Sequence, residues 1–419
     1  MARKIFKEVA MTKPKANIFN LSHDKKLSTK FGKLVPIMVM DCVPGDRVQL
    51  KSNVLVRFAP MLAPVMHRVN VYVHYFFVPT RIQWDNFEKF ITGGENGLDN
   101  TVWPHFNANM ANIQPSSLHD YLGTPTAVDG VSEGSTTQDI SMIPYNAYQR
   151  IYDEYYRDQN LIASDYAKLT DGANPTGPNT TLRKRSWQHD YFTSALPWTQ
   201  RGAEAMIPLG GNAPIEFDDN SNLVQTWRRV LDQQPFTPEN AEFASTSLQA
   251  NGGAGQGAGY VNLEDTHYAD LSEATATSII DLRRAFRLQE WLEKNARGGA
   301  RYTESILVHF GVHSSDKRLQ RPEYLGGSMT PVKISEVLQT TQDLDVGQDT
   351  PLGTMGGHGI SVGGTKKVAH FCEEHGYVMG IMSVMPVATY QQGIPRHMLR
   401  ADKFDYFWPE FQHIGEQRS

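Results

Sequence analysis

A chain of 419 residues with 40% hydrophobic side chains can bury a sizeable core, either as two to three domain-sized masses or as one core with large insertions. An aromatic share of 10% excludes a disordered chain, and only two cysteines, Cys42 and Cys372, exclude a disulfide framework and favour a reducing compartment. The net charge of −5 is unevenly spread: residues 1–33 carry nine Lys/Arg against Glu8 and Asp24, a net +7, which leaves −12 on the rest.

A basic arm on an acidic body suits a tail that meets a polyanion while the body stays soluble; the bland alternative is a frayed, solvated terminus. No apolar stretch follows the basic start Met1 to Lys7, and no run reaches the ~18 apolar residues of a membrane helix. The chain is therefore expected to stay in the compartment where it is made.

Taken in order, residues 1–20 lack periodicity and read as an extended arm. Leu34–Met40 is a short apolar run closed by the Pro44-Gly45 turn, and Val48, Leu50, Val54, Val56 and Phe58 predict a strand. In Met66–Pro79, Val69, Val71, Val73, Tyr75 and Phe77 share one face, while Tyr72, His74, Phe76 and Val78 share the other. Apolar groups on both faces predict a central strand of an antiparallel β core, ended by Pro79, which has no N–H to donate. Trp84–Ile91 reads as a short helix closed by Gly93-Gly94, and Glu95–Ser141 as a long surface excursion without a convincing element.

Pro144–Tyr156 predicts a helix with proline in its first turn and a tyrosine stripe that packs against a neighbour. Leu182–Phe192 mixes basic and aromatic residues, the composition of a single-stranded nucleic-acid surface; the alternative is a loop with buried rings and solvated charges. Pro208–Leu271 is the most loop-like region, with the run Asn251–Gly259, and reads as a protruding insertion. After a cap at Thr277 or Ser278, Ile279, Leu282, Ala285, Phe286, Gln289 and Leu292 stripe the clearest helix, ended by Gly298-Gly299. Ile306–Val312 and Gly376–Pro386 read as strands, with Gly353–Gly364 as a glycine-rich loop between them.

His370, Cys372 and His375 are a legal metal-ligand set, but strand alternation separates His375 from the other two and no second cluster completes a site. Gly357–Gly363 is one residue too long for a dinucleotide fingerprint, and no phosphate-loop, zinc-protease or serine-hydrolase motif occurs. Nothing requires catalysis or a cofactor, so the chain is expected not to be an enzyme.

Several long strings resemble one family. They include Leu21–Asp24, Gly32–Ile37, Ala59–His67, Arg81–Phe87, Tyr156–Leu161, His189–Trp198, Asp281–Gly299, Leu319–Gly327, Tyr390–Pro395, Phe407–Phe411 and Ile414–Gln417. Together with the central strand they are similar to the F-type major capsid protein of the Microviridae, in particular the gokushovirus-like bacteriophages. The resemblance spans nearly the whole chain. It implies a mainly β fold, a viral jelly roll of eight antiparallel strands with large loop and helical insertions, in a small T=1 icosahedral shell around circular single-stranded DNA. It implies four segments: a basic arm at 1–33, a first part of the core at 34–207, a surface protrusion at 208–271, and a helix with the remaining core strands at 272–419.

Implied partners are further copies of the chain, packaged single-stranded DNA, scaffolding, DNA-pilot and small basic DNA-binding proteins, and a host surface receptor. The implied place is the virion, assembled in the bacterial cytoplasm. Lys4, Lys7, Lys13, Lys15, Lys25 and Lys26 are the expected phosphate contacts. The family usually continues past the Ile-Gly-Glu-Gln string into later strands, which leaves closure of the barrel open. A second reading is a carbohydrate-binding or glycosidase-like jelly roll, with Trp84, Trp103, Trp187, Trp198 and Trp227 stacking on sugar rings.

Overall fold

The computed structural model describes residues 17–59, 61, 65–95, 98–109, 112–126, 137–190, 193–194, 198, 200–203, 205, 215–217, 227–229, 235–236, 238–244, 247–252, 258–260, 267–269, 279–299, 301–338, 355–390 and 393–411. The chain divides into two compact units, one built from residues up to Ser194 with Gly299–Tyr406, the other from Ala195–Gly298 with Phe407–Arg418.

The first unit begins with β1 (Val35–Cys42), β2 (Arg47–Leu50), β3 (Asn53–Arg57), β4 (Val69–Pro79), α1 (Phe87–Thr92), β5 (His105–Asn109), α2 (Leu118–Leu122), β6 (Thr137–Ser141) and α3 (Ile143–Ile151). The second unit carries β7 (Ile215–Phe217), β8 (Trp227–Arg229), β9 (Pro235–Phe236), β10 (Pro238–Ala244), β11 (Ser247–Gly252), β12 (Ala258–Tyr260), β13 (His267–Ala269) and α4 (Ile279–Gly298). The first unit resumes with α5 (Tyr302–Phe310), β14 (Glu323–Pro331), β15 (Lys333–Leu338), β16 (Met355–Gly364), β17 (Val368–Phe371) and β18 (Gly376–Pro386).

β4 is an inner strand of an antiparallel sheet ordered β1–β18–β4–β14. Its two side-chain sets enter different cores. Val69, Val71, Val73, Tyr75 and Phe77 pack with Leu50, Cys42, Cys372 and Val384. Phe76 and Val78 pack with Leu34, Tyr145, Tyr148 and Ile151. Each such side chain contributes about 1.5–3 kcal/mol when fully buried, so losing either cover would cost several of these terms at once. The short ladders β15–β16–β3 and β17–β2 supply Val54, Val56, Ile334 and Val368 to the first core, and α2 and α3 supply the second. At Pro79 the ladder ends as expected, and the next amide, Thr80, bonds to the His375 carbonyl at 3.0 Å.

The chain is thus mainly β with antiparallel sheets and some helices. Among the described residues the ladders stay separate, open sheets and do not join into one barrel. The strand expected over Val48–Phe58 is two, β2 and β3, with residues 51–52 between them.

Four expectations need correction. Ile306–Val312 lies largely in α5 rather than a strand: the Glu304 carboxylate accepts from the Arg301 amide at 3.1 Å at its start, and Gly311 at φ +68° ends it. A short apolar run cannot by itself separate strand from helix; the caps decide. The glycine-rich stretch before residue 364 is the strand β16, paired with both β15 and β3. Its glycines make room: a Cβ at Gly359 would lie 2.6 Å from the Phe58 ring. Residues 95–141 are no bare excursion, since β5 pairs with β6 and Phe106, Ala108, Leu118 and Tyr121 are buried. The loop-like stretch in the second unit forms the ladders β10–β11–β12–β8–β9 and β13–β7.

Two helices keep their expected positions with altered detail. In the stripe of α4, Leu292 is buried while Ile279 and Phe286 are exposed, and Gly299 at φ +100° follows its end. α3 takes Pro144 in its first turn and runs on through a π-helical turn at Tyr152–Tyr156. Tyr145, Tyr148, Tyr152 and Tyr156 are buried core members.

Candidate functional site

The basic-aromatic string beginning at Leu182 is anchored by its backbone. The Leu34 amide donates to the Arg183 carbonyl at 3.0 Å and the Arg185 amide to the Gly32 carbonyl at 2.7 Å, with Lys33 and Lys184 directly opposite each other between them. This short antiparallel clip joins the end of the N-terminal segment to the edge of the core.

The arginines of the clip turn inward. Arg183 donates from Nε to Gln149 at 2.6 Å and from Nη2 to Asp165 at 2.5 Å, and its guanidinium lies over the Tyr152 ring at 4.7 Å. Arg185 lies 4.1 Å from the Tyr72 ring centroid and donates to Ser383 Oγ at 3.2 Å. Its charge also disfavours protonation of His74, whose pKa is lowered to about 4, first by burial and then by Arg185. Lys184 and Trp187 remain at the surface. Two of the cations are therefore not solvated, as a loop with free charges would have them, but stacked on tyrosines.

Of the expected phosphate contacts, Lys4, Lys7, Lys13 and Lys15 lie outside the described residues. Lys26 is exposed. The Lys25 ammonium donates to the carbonyls of Pro36 and Tyr121, and desolvation there lowers its pKa against the opposing pull of Asp120. Lys33, Lys184 and Arg185, which the structure places together, were not singled out as contacts. Their string was visible in the sequence; its pairing with Gly32–Leu34 was not.

The His370, Cys372 and His375 side chains go to different neighbours. His370 lies against Phe77 at 4.8 Å between centroids, His375 meets Phe87 edge-on at 5.7 Å, and Cys372 is buried beside Cys42. Burial pushes the Cys42 thiol up to about 12, with the Cys372 sulfur adding to the shift, so the pair stays protonated at neutral pH. Among the described residues no group of three or more His, Cys, Asp or Glu is placed to hold a metal.

The described tryptophans have different surroundings. Trp84 is 1% exposed, packs on Phe90 and donates to Asp171 at 2.5 Å. Trp103 rests on His105 at 4.7 Å, Trp187 is 52% exposed, Trp198 is partly buried, and the Trp227 side chain lies outside the described residues.

A family model described as capsid protein (F protein) matches residues 8–418. The chain belongs to that family. It is 36% identical over 408 residues to capsid protein VP1 of Bdellovibrio phage phiMH2K, covering 95% of this chain and 74% of that one. It is 32% identical over 475 residues to capsid protein VP1 of Chlamydia phage 1, covering 98% and 78%. Capsid protein VP1 of Spiroplasma virus 4 is 33% identical over 430 residues, covering 96% and 75%. The chain is a major capsid protein of the Microviridae type, and its place is the virion. For such a protein the relevant sites are surfaces that meet other copies of the chain.

Proposed function

We propose that this capsid protein assembles from many copies into a closed T=1 shell around circular single-stranded DNA, acting as a container and not as an enzyme. The observation that carries this reading is the match to the capsid family over residues 8–418. The sheet order β1–β18–β4–β14 supports a jelly roll, because the last strand lies between the first and the fourth, as Greek-key connections require. The arm lysines Lys4, Lys7, Lys13, Lys15 and Lys26 contact packaged phosphates without sequence preference, and Lys25 ties the base of that arm to the body.

In the same reading the segment 208–271 protrudes from the shell and meets the host surface, while scaffolding, DNA-pilot and small basic DNA-binding proteins accompany assembly in the bacterial cytoplasm. Electron microscopy of the purified full-length protein tests the central claim. Closed shells of one size are expected; monomers with affinity for glycans would overturn it and restore the carbohydrate-binding alternative. Deleting residues 215–265 tests the protrusion. Loss of adsorption to host cells is expected, and unchanged adsorption would refute that role.

A further inference from the structure

We propose that the clip is an acid-operated latch: a proton taken up by His74 expels the Arg185 guanidinium from between Tyr72 and Tyr156 and lifts residues 185–188 off the sheet. The movement takes place within one subunit and is independent of its assembly.

Two basic side chains share one tyrosine. His74, on β4, stacks on the Tyr156 ring at 6.0 Å between centroids, with its Nδ1 2.7 Å from the Tyr156 hydroxyl. The Arg185 guanidinium lies 5.8 Å from the centroid of that same ring and 4.1 Å from that of Tyr72, whose ring is in turn 6.1 Å from His74. The titratable or charged groups set against His74 are thus Tyr72 on its own strand, Tyr324 on β14 at 5.8 Å, Tyr156 from the turn after α3, and Arg185 from the clip. Its partner across β18, Ile381, carries no charge. Among the described residues no carboxylate is bonded to His74 or to Arg185. A neutral imidazole coexists with the guanidinium there. A protonated one places a second cation beside it in a buried position, with no anion to offset either. The His74 pKa, lowered to about 4 first by burial and then by Arg185, expresses the same conflict.

Arg185, not His74, has room to leave. Gly327 of β14 stands opposite His74, and a Cβ there would lie 2.5 Å from the His74 Cδ2, so the strand behind the ring already touches it. Arg185 is held by its guanidinium on Ser383 Oγ at 3.2 Å and by its amide on the Gly32 carbonyl at 2.7 Å. Beyond it, Ser186 donates to the Tyr156 carbonyl and Gln188 to the Tyr72 hydroxyl, each at a long 3.4 Å. Arg183 is fixed more firmly, by its amide on the Tyr148 hydroxyl at 2.9 Å and its side chain on Gln149 and Asp165. The latch therefore hinges between these two arginines: the bond from Arg185 to Gly32 opens, and the bond from Leu34 to Arg183 stays.

Hydrogen–deuterium exchange of the full-length protein tests this, read by mass spectrometry with fragmentation to single amides at pH 7 and pH 4. Labelling times are scaled to the intrinsic exchange rate at each pH. If opening returns His74 to its ordinary value of 6.5, the open state at pH 4 is favoured by up to roughly a hundredfold. The Arg185 amide should lose protection by up to that factor, while the Leu34 amide keeps its own. In His74→Gln, which takes up no proton, the Arg185 amide should stay protected at pH 4. Unchanged protection of the wild-type Arg185 amide would overturn the latch. So would the same loss in His74→Gln, or an equal loss at Leu34 and Arg185, the mark of general unfolding. The comparison of the two amides within the wild-type protein stands even where the variant fails to fold.

Discussion

His74 sits in the middle of β4, where its Nδ1 lies 2.7 Å from the Tyr156 hydroxyl and its ring stacks on Tyr156 at 6.0 Å. Burial and Arg185 lower its pKa from about 6.5 to about 4. The folded state therefore holds neutral histidine, and the unfolded chain takes up the proton first. Stability from this group is complete above about pH 6.5 and falls as pH drops toward about 4, by at most roughly 3 kcal/mol. Denaturant midpoints at pH 7.5 and 4.5 should differ, and His74→Gln should shrink that difference; an unchanged difference would assign the acid sensitivity elsewhere. The cysteines give a second residue-scale expectation. With Cys42 raised to about 12 and both thiols buried, iodoacetamide at pH 8 should label neither in the folded protein and both after unfolding, read by mass spectrometry. Neither outcome was legible from Cys42 or from the His370–His375 string alone. What decides them is which distant strand each side chain faces.

At the scale of single elements, close backbone approach explains both a misreading and a prediction. Alternation over Val69–Phe77 was enough to find β4, because both faces are apolar and the period is unmistakable. β16 was read as loop because glycine carries no periodic signal; its neighbours, Phe58 and Thr330, occupy the space a side chain would need. The same reasoning applies to Gly327 on β14, where a Cβ would lie 2.5 Å from the Val73 carbonyl oxygen on β4. Gly327→Ala should cost roughly 1–3 kcal/mol by forcing the two strands apart, measurable as a shift in denaturant midpoint. α5 was missed for a different reason, its short apolar run. Arg301 holds the helix start by donating from Nη2 to the carbonyls of Asp153 at 2.9 Å and Arg157 at 3.1 Å, at the end of the turn that follows α3. Arg301→Ala should lower stability by roughly 1–3 kcal/mol, and unaltered thermal unfolding would show that water replaces the guanidinium without loss.

For the whole molecule, the uneven charge supports the proposal that the basic start of the chain meets packaged DNA. Removing residues 1–16 takes away Arg3, Lys4, Lys7, Lys13 and Lys15 but leaves Lys25, Lys33 and Lys184. The truncated protein should bind single-stranded DNA with a salt slope shallower by up to about 0.7 for each lost phosphate contact. An identical slope would mean that the arm does not touch the genome. The family and the container role were legible in the sequence because long strings carry the resemblance from end to end. The clip was not, since Gly32–Leu34 and Arg183–Arg185 meet only in the fold.

The sheet order has a consequence for timing. β18 fills the gap between β1 and β4, yet it is made last of the three. At ~5–20 residues per second, the ribosome delivers β18 tens of seconds after β4 has emerged. β14, its other neighbour, is also made late, so for most of that interval both edges of β4 lack their partners. A subunit can therefore complete this sheet only after β18 has been translated.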